Sequence, residues 1–251
     1  MRKCRLRITI KSKAMNKTPY ITIIIPTHNS VTTIQQVLSS ILNLDYPKDR
    51  LELVIVDDSI DETPYVLQEF ISKYGNVFHK VKIIRLPEGC GVSCARNVGI
   101  KEASGDYIFL LDSDVVLQKE TLKCMLETLN NCFPCIVSMF YVHERSSFIE
   151  KVVLYRYRDK VKEGPLFTGA AMIPRSLILK IGLFNERLGY PYGVYEDWEY
   201  KVRAEKLGVK VVIDGRLILK HLSKKININN NEKSKSLIHE IIILIKLLRS
   251  Y

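Results

Sequence analysis

Residues 107–117, YIFLLDSDVVL, carry five mostly apolar residues into Asp112-Ser113-Asp114 and return to apolar residues at Val115. The run reads as a buried strand that ends in two carboxylates. Its neighbours give it a context. From Tyr20, apolar β-branched runs alternate with segments of helical period. YITIIIP (20–26) is a strand closed by Pro26, and SVTTIQQVLSSILNL (30–44) puts Ile34, Val37, Leu38, Ile41 and Leu42 on one helical face, with Ser30 as N-cap. LELVIVDD (51–58) is a second strand, and ETPYVLQEFISKYG (62–75) a second helix with Gly75 as C-cap. VKIIRL (81–86) is a third strand, GVSCARNVGIKEASG (91–105) a third helix ending at Gly105, and DYIFLLD (106–112) a fourth strand. Such alternation predicts an α/β fold with a Rossmann-like, mostly parallel central sheet flanked by helices, whose ligands bind beyond the carboxyl ends of the strands.

Asp112 and Asp114 fall at such an end. In an extended segment, side chains at i and i+2 point the same way, so the two carboxylates are expected to converge. Left alone they would repel, and a divalent cation such as Mg2+ or Mn2+ removes the conflict. Asp57-Asp58 and Thr27-His28-Asn29 end two other strands at the same edge. An aspartate after a strand is also a common turn former, and for Asp57 or Asp58 taken singly that is the simpler reading. Neither a P-loop nor a GxGxxG follows the first strand, although Gly89 and Gly91 precede a helix start with Arg96 inside it.

Five segments together resemble the family 2 inverting glycosyltransferases of GT-A fold. These are ITIIIPTHN (21–29), LVIVDDSIDET (53–63), GCGVSCARNVGIKEASGDYIFLLDSD (89–114), FTGAAMIPR (167–175) and GVYEDWEYKVRAEKLG (193–208). The resemblance implies that Asp112-Ser113-Asp114 is a DXD motif holding a divalent metal, Mn2+ or Mg2+, against the diphosphate of a UDP- or GDP-sugar. It also implies that Pro26, Thr27 and Asn29 line the nucleoside pocket, that Asp58 contacts the base, and that Arg96 lies near nucleotide or phosphate. His28 stands where the family more often has Tyr. Glu196-Asp197 is similar to the family's acidic pair, with Asp197 as general base and Glu196 on the nucleotide-sugar side. The resemblance further implies that Gly169 lets a sugar approach the backbone and that His221 adds a further metal or phosphate contact. Read from the residues alone, the acidic pair is an ordinary helix N-terminus and the histidine a surface or capping residue.

The domain organisation expected is a basic extension over 1–19, a catalytic domain over 20–221 (nucleotide half 20–115, acceptor half 116–221), and a basic linker with an amphipathic helix over 222–251. Charge supports the division. The chain of 251 residues carries a formal +11, of which residues 1–20 hold +7 and residues 216–251 hold +6, leaving −2 for the body between. That distribution argues against a nucleic-acid-binding core and leaves basic ends that could lie on an anionic surface or merely be solvated. LIHEIIILIKLL (237–248) is too short to span a bilayer and could pack on the body, pair two subunits into a homodimer, or lie in a membrane interface. No continuous apolar signal segment opens the chain, so the expected location is cytoplasmic, with peripheral contact on the cytoplasmic face of the membrane. Six cysteines are too sparse and irregular for a secreted disulfide framework. CFPC (132–135) reads as small buried residues beside a strand, with a disulfide there as the other option.

The function expected is therefore metal-dependent transfer of a sugar from a nucleotide-diphosphate donor to a glycan hydroxyl or polyprenyl-lipid phosphate. The alternative is a catalytically silent scaffold that binds nucleotide-sugar. A nucleotidyltransferase would carry a Gly-rich basic loop after the first strand, and PTHNSVTTIQQ (26–36) lacks it.

Overall fold

The computed structural model describes residues 18–143, 148–188 and 195–222. Residues 1–17 and 223–251, with the expected helix over 237–248, lie outside the described residues. Strands β1 (Ile21–Thr27), β2 (Leu51–Asp57), β3 (Lys80–Arg85) and β4 (Tyr107–Leu111) alternate with helices α1 (Ile34–Leu42), α2 (Thr63–Tyr74) and α3 (Val92–Glu102). There follow β5 (Val115–Val116), α4 (Thr121–Cys132), β6 (Cys135–His143), α5 (Phe148–Tyr157), β7 (Val161–Glu163), β8 (Ala170–Pro174), α6 (Arg175–Ile181), α7 (Glu196–Lys206) and β9 (Lys210–His221).

One sheet runs in the order β3-β2-β1-β4-β8-β6-β9-β5, with β7 also on β9. Its long ladders are parallel: β3 to β2, β2 to β1, β1 to β4, and β6 to β9. Strand β8 runs antiparallel to both β4 and β6, and the short β5 and β7 run antiparallel to β9. The α/β architecture read from the alternation is what forms. Because β8 is reversed, its first residue Ala170 pairs with Leu111, the last of β4. One rim thus receives the carboxyl ends of β1, β2, β4, β6 and β9 together with the loop that leads into β8.

Each face of the sheet is covered. Ile21, Ile23, Ile25, Leu53, Ile55 and Phe109 pack under Ile34, Val37, Leu38 and Ile41 of α1. Ile24, Val54, Val56, Ile108 and Leu110 pack on the other face with Ala95 of α3 and with Ile178, Tyr200 and Ala204 of α6 and α7. Every residue of β2 is buried, which explains why that strand reads as a continuous apolar run rather than an alternating one. Full burial of each such aliphatic side chain contributes about 1.5–3 kcal/mol before chain entropy is counted.

Several local expectations shift. Strand β1 runs one residue past Pro26, to Thr27. Ser30 does not cap α1 with its side chain: its carbonyl accepts the Thr33 and Ile34 amides, and its hydroxyl is bonded elsewhere. Gly75 does cap α2, donating its amide to Ile71. Helix α3 stops at Glu102, because the Ser104 and Gly105 amides bond to Glu52 and Thr22 instead of continuing the helix. A Cβ at Gly105 would sit 2.6 Å from the Thr22 amide nitrogen, so this crossing requires glycine. Asp112-Ser113-Asp114 is not extended: Val115 donates its amide to the Asp112 carbonyl, and the segment turns. The cysteines also correct the reading, since Cys132 pairs with Cys135 and Cys90 with Cys94 in disulfides. The Cα atoms of each pair lie 5.7 and 5.8 Å apart, within bridging range. No helix among the described residues is long and apolar enough to cross a membrane.

Candidate active site

At the ends of β1 and β2 the polar residues bond to one another. Asp57 is fully buried and accepts from the Thr27 hydroxyl at 3.0 Å, the Ser59 hydroxyl at 2.5 Å and the Arg85 guanidinium. Asp58, next along, donates its amide to the Thr27 carbonyl and meets His28 Nδ1 at 3.0 Å. Asn29 holds a left-handed backbone, φ 47°, and its side-chain oxygen accepts the Ile60 and Asp61 amides, so it latches the loop after β2. Pro26 stays half-buried beside Val56. The structure thus gathers Pro26, Thr27, Asn29 and Asp58 at one place. Ser113 joins them through a 2.7 Å hydroxyl contact with Ser30.

Further along the rim, charge concentrates. Arg96 of α3 is 3% exposed. One of its nitrogens lies 3.0 Å from Asp112, and the other 3.2 Å from Glu196 and 4.0 Å from Asp197. Burial would lower the pKa of this guanidinium, but Asp112, Asp197 and Glu196 outweigh burial and raise it, so it stays a fixed cation. Glu196 and Asp197 open α7, where the helix dipole favours carboxylates. Asp197 is oriented by Thr168, which donates its hydroxyl at 2.5 Å and its amide at 3.3 Å. Gly169 follows, and its carbonyl accepts the Asp112 amide at 3.0 Å. A Cβ on Gly169 would meet an Asp112 carboxylate oxygen at 2.7 Å and the Tyr141 ring at 2.9 Å, so the fold itself needs glycine there, apart from any ligand. Asp114 faces His221, Oδ1 to Nε2 3.4 Å. The His221 ring packs on Tyr141 with centroids 5.3 Å apart.

Thr168 and Tyr141 complete this centre, and Tyr141 carries no sequence signal as a site residue. Thr168 stands inside FTGAAMIPR, so its place beside Gly169 offered the one available hint. Burial, then the carboxylates of Asp112, Asp197 and Asp114, hold the Tyr141 phenol well above its ordinary pKa, which keeps its proton on. Arg96 is turned inward onto carboxylates.

Three carboxylates against one guanidinium leave surplus negative charge beside Asp114 and His221. Oxygen donors with one imidazole fit Mn2+ or Mg2+. Among the described residues no three such side chains are already drawn into a cage.

The family model described as Glycosyl transferase family 2 matches residues 22–178. The chain is similar to the "Probable glycosyltransferase YdaM" of Bacillus subtilis (strain 168), 39% identical over 213 residues, which are 78% of this chain and 49% of that protein. It is also similar to the poly(ribitol-phosphate) beta-N-acetylglucosaminyltransferase TarS of Staphylococcus aureus (strain Mu50 / ATCC 700699), 37% identical over 102 residues, 40% of this chain and 17% of that one. The chain therefore spans about half, or less, of the length of these relatives. Among solved structures, the mannosyltransferase PcManGT from Pyrobaculum calidifontis, in complex with GDP-Man and Mn2+, aligns with a TM-score of 0.72 at 21% identity, covering 91% of this chain and 65% of that one. S. aureus TarS 1-349 in complex with UDP-GlcNAc aligns with a TM-score of 0.61 at 18% identity, covering 91% and 67%. Such distant structural likeness speaks to the fold.

Proposed function

The chain belongs to glycosyl transferase family 2, and on that premise we propose that it is a metal-dependent inverting glycosyltransferase of glycan or glycolipid assembly. It takes a sugar from a UDP- or GDP-linked donor and moves it to a glycan hydroxyl or a polyprenyl-lipid phosphate. The fold is of the GT-A type. The observation that carries the reading is the shared arginine: Arg96 holds Asp112 at 3.0 Å and approaches Asp197 to 4.0 Å, so the expected metal-motif acid and the expected base lie around one buried cation.

In this reading residues 20–115 take the nucleotide, through Pro26, Thr27, Asn29 and Asp58, and residues 116–221 take the acceptor. Asp197 removes the proton of an acceptor hydroxyl. The oxygen attacks the anomeric carbon from the face opposite the diphosphate, the bond to the diphosphate breaks with its electron pair leaving on phosphate, and the configuration inverts. A lipid phosphate is already anionic and needs no base. Asp112, Asp114 and His221 would hold Mn2+ or Mg2+, which neutralises charge on the leaving diphosphate. Ser113, Arg96, Gly169 and Glu196 border the same space. Donors of this class are supported by the ligands of the aligned structures, GDP-Man with Mn2+ in one and UDP-GlcNAc in another. Peripheral contact of the basic ends with the cytoplasmic face of a membrane belongs to the same reading.

Calorimetric titration with UDP and GDP, first with Mn2+ and then with excess EDTA, tests it. One nucleotide is expected to bind, and only with metal. With a hydroxyl acceptor, Asp197→Asn is expected to keep that binding and lose transfer by about 10²–10⁴-fold. Binding of neither nucleotide by folded protein overturns the reading, and full transfer to a hydroxyl acceptor by the variant overturns the role of Asp197 as base. No observation favours the silent scaffold, since Asp112, Asp114 and Asp197 are all present.

A further inference from the structure

Most polar groups on the rim are committed to one another. Thr27 is bound to Asp57, Ser30 to Ser113, Asn29 to the loop after β2, and Thr168 to Asp197. Tyr141, near the end of β6, is an exception. No hydrogen bond ties its hydroxyl to any of the described residues. Its ring is fixed nonetheless, edge-on to Phe167 at 6.1 Å between centroids and tilted against His221 at 5.3 Å.

The position of that hydroxyl is informative. The point where a Cβ would stand on Gly169 is 3.0 Å from the Tyr141 oxygen and 2.7 Å from an Asp112 oxygen. With hydrogen alone there, no side chain at residue 169 separates the phenol from Asp112. Gly169 is preceded by Thr168, which holds Asp197. Tyr141 therefore lies by the acid expected on the diphosphate side and close to the acid expected on the acceptor side. What occupies the interval between leaving group and nucleophile is the sugar being transferred. Its hydroxyls can accept from a phenol while donating to carboxylates, a match that a phosphate, which only accepts, does not make.

We propose that the Tyr141 hydroxyl donates a hydrogen bond to the transferred sugar of the donor, so that Tyr141 orients that sugar and discriminates among donors. The inference rests on the glycosyltransferase reading above and adds a residue outside the five motifs that carry it. A neutral donor of this kind selects by position rather than by charge, and a site that satisfies a substrate hydroxyl rejects analogues lacking it.

The test is Tyr141→Phe, which keeps the ring and its packing on Phe167 and His221. Wild type and variant are titrated with Mn2+ plus UDP and GDP, then with UDP-GlcNAc, UDP-glucose and GDP-mannose. Binding of the nucleoside diphosphate is expected to be unchanged within about twofold. Affinity for the preferred nucleotide-sugar, and kcat/KM with it, are expected to fall about tenfold, the loss of one hydrogen bond. Equal weakening of diphosphate and nucleotide-sugar would assign the hydroxyl to phosphate and overturn the proposal. No change in either overturns it too. Wild-type protein that binds no nucleotide at all fails one step earlier, at the glycosyltransferase reading itself.

Discussion

Asp57 and Asp112 stand at equivalent places, one the last residue of β2 and the other immediately after β4, yet they are solvated by the protein in opposite ways. Asp57 has no exposed surface and receives two hydroxyls, the Ser59 amide and the Arg85 guanidinium. Asp112 shares its one guanidinium with Glu196 and Asp197, and its side chain remains 29% exposed. A carboxylate whose acceptor capacity is filled from within holds the fold together. One that is left short is available to a ligand. The difference separates Asp57 from the acid proposed to meet a ligand more sharply than their position at the rim does.

Removing the shared cation is the strongest way to break this contrast. Arg96→Ala leaves three acids around an uncompensated, largely buried space, and a loss of about 3–5 kcal/mol is expected, read as a lowered urea midpoint. Added Mn2+ should recover part of that loss if the same acids form a cation site. A midpoint unmoved by the substitution would mean that these carboxylates never depended on Arg96. On the other side of the comparison, Asp57→Asn is expected to cost about 1–3 kcal/mol of stability while leaving turnover of the folded protein near wild type. Lost turnover at unchanged stability would move Asp57 into the site and erase the distinction.

What the sequence made legible follows the same division. Strands β1, β2 and β4 could be read because burial on both faces writes continuous apolar runs, and α1 because its buried residues keep a helical period. Glu196 and Asp197 were legible through the resemblance of their surroundings, since two acids at a helix start are locally unremarkable. Thr168 and Tyr141 were not, because their roles arise only when the reversed β8 and the later β6 are laid beside β4, contacts that no local pattern encodes. The Cys90–Cys94 pair was missed, and Cys132–Cys135 was only the second option, for a related reason. The sequence shows their spacing but not the bend that brings each pair within reach.

The smallest expected effect concerns a buried acid far from the rim. Burial raises the Glu52 pKa, but hydrogen bonds from Thr22, Ser104 and Lys80 lower it more, so its folded value lies below the ordinary one. Its contribution is therefore complete above the ordinary glutamate range and is lost as pH falls through the folded value. Glu52→Gln should flatten the acid limb of the stability profile and leave the neutral limb almost parallel to wild type. An acid limb as steep as the wild-type one would assign the pH dependence to other carboxylates.

Strand β8 meets β4 head to tail, Ala170 beside Leu111, and residues 168 and 169 project from that junction. A slip of one residue in this pairing would exchange the faces of the strand and withdraw Thr168 from Asp197 and Gly169 from Asp112 in the same movement. Orientation of Asp197 and clearance for the phenol thus share a single alignment. On the proposed function, a chain folded out of register would be inert rather than careless, attaching no sugar instead of the wrong one.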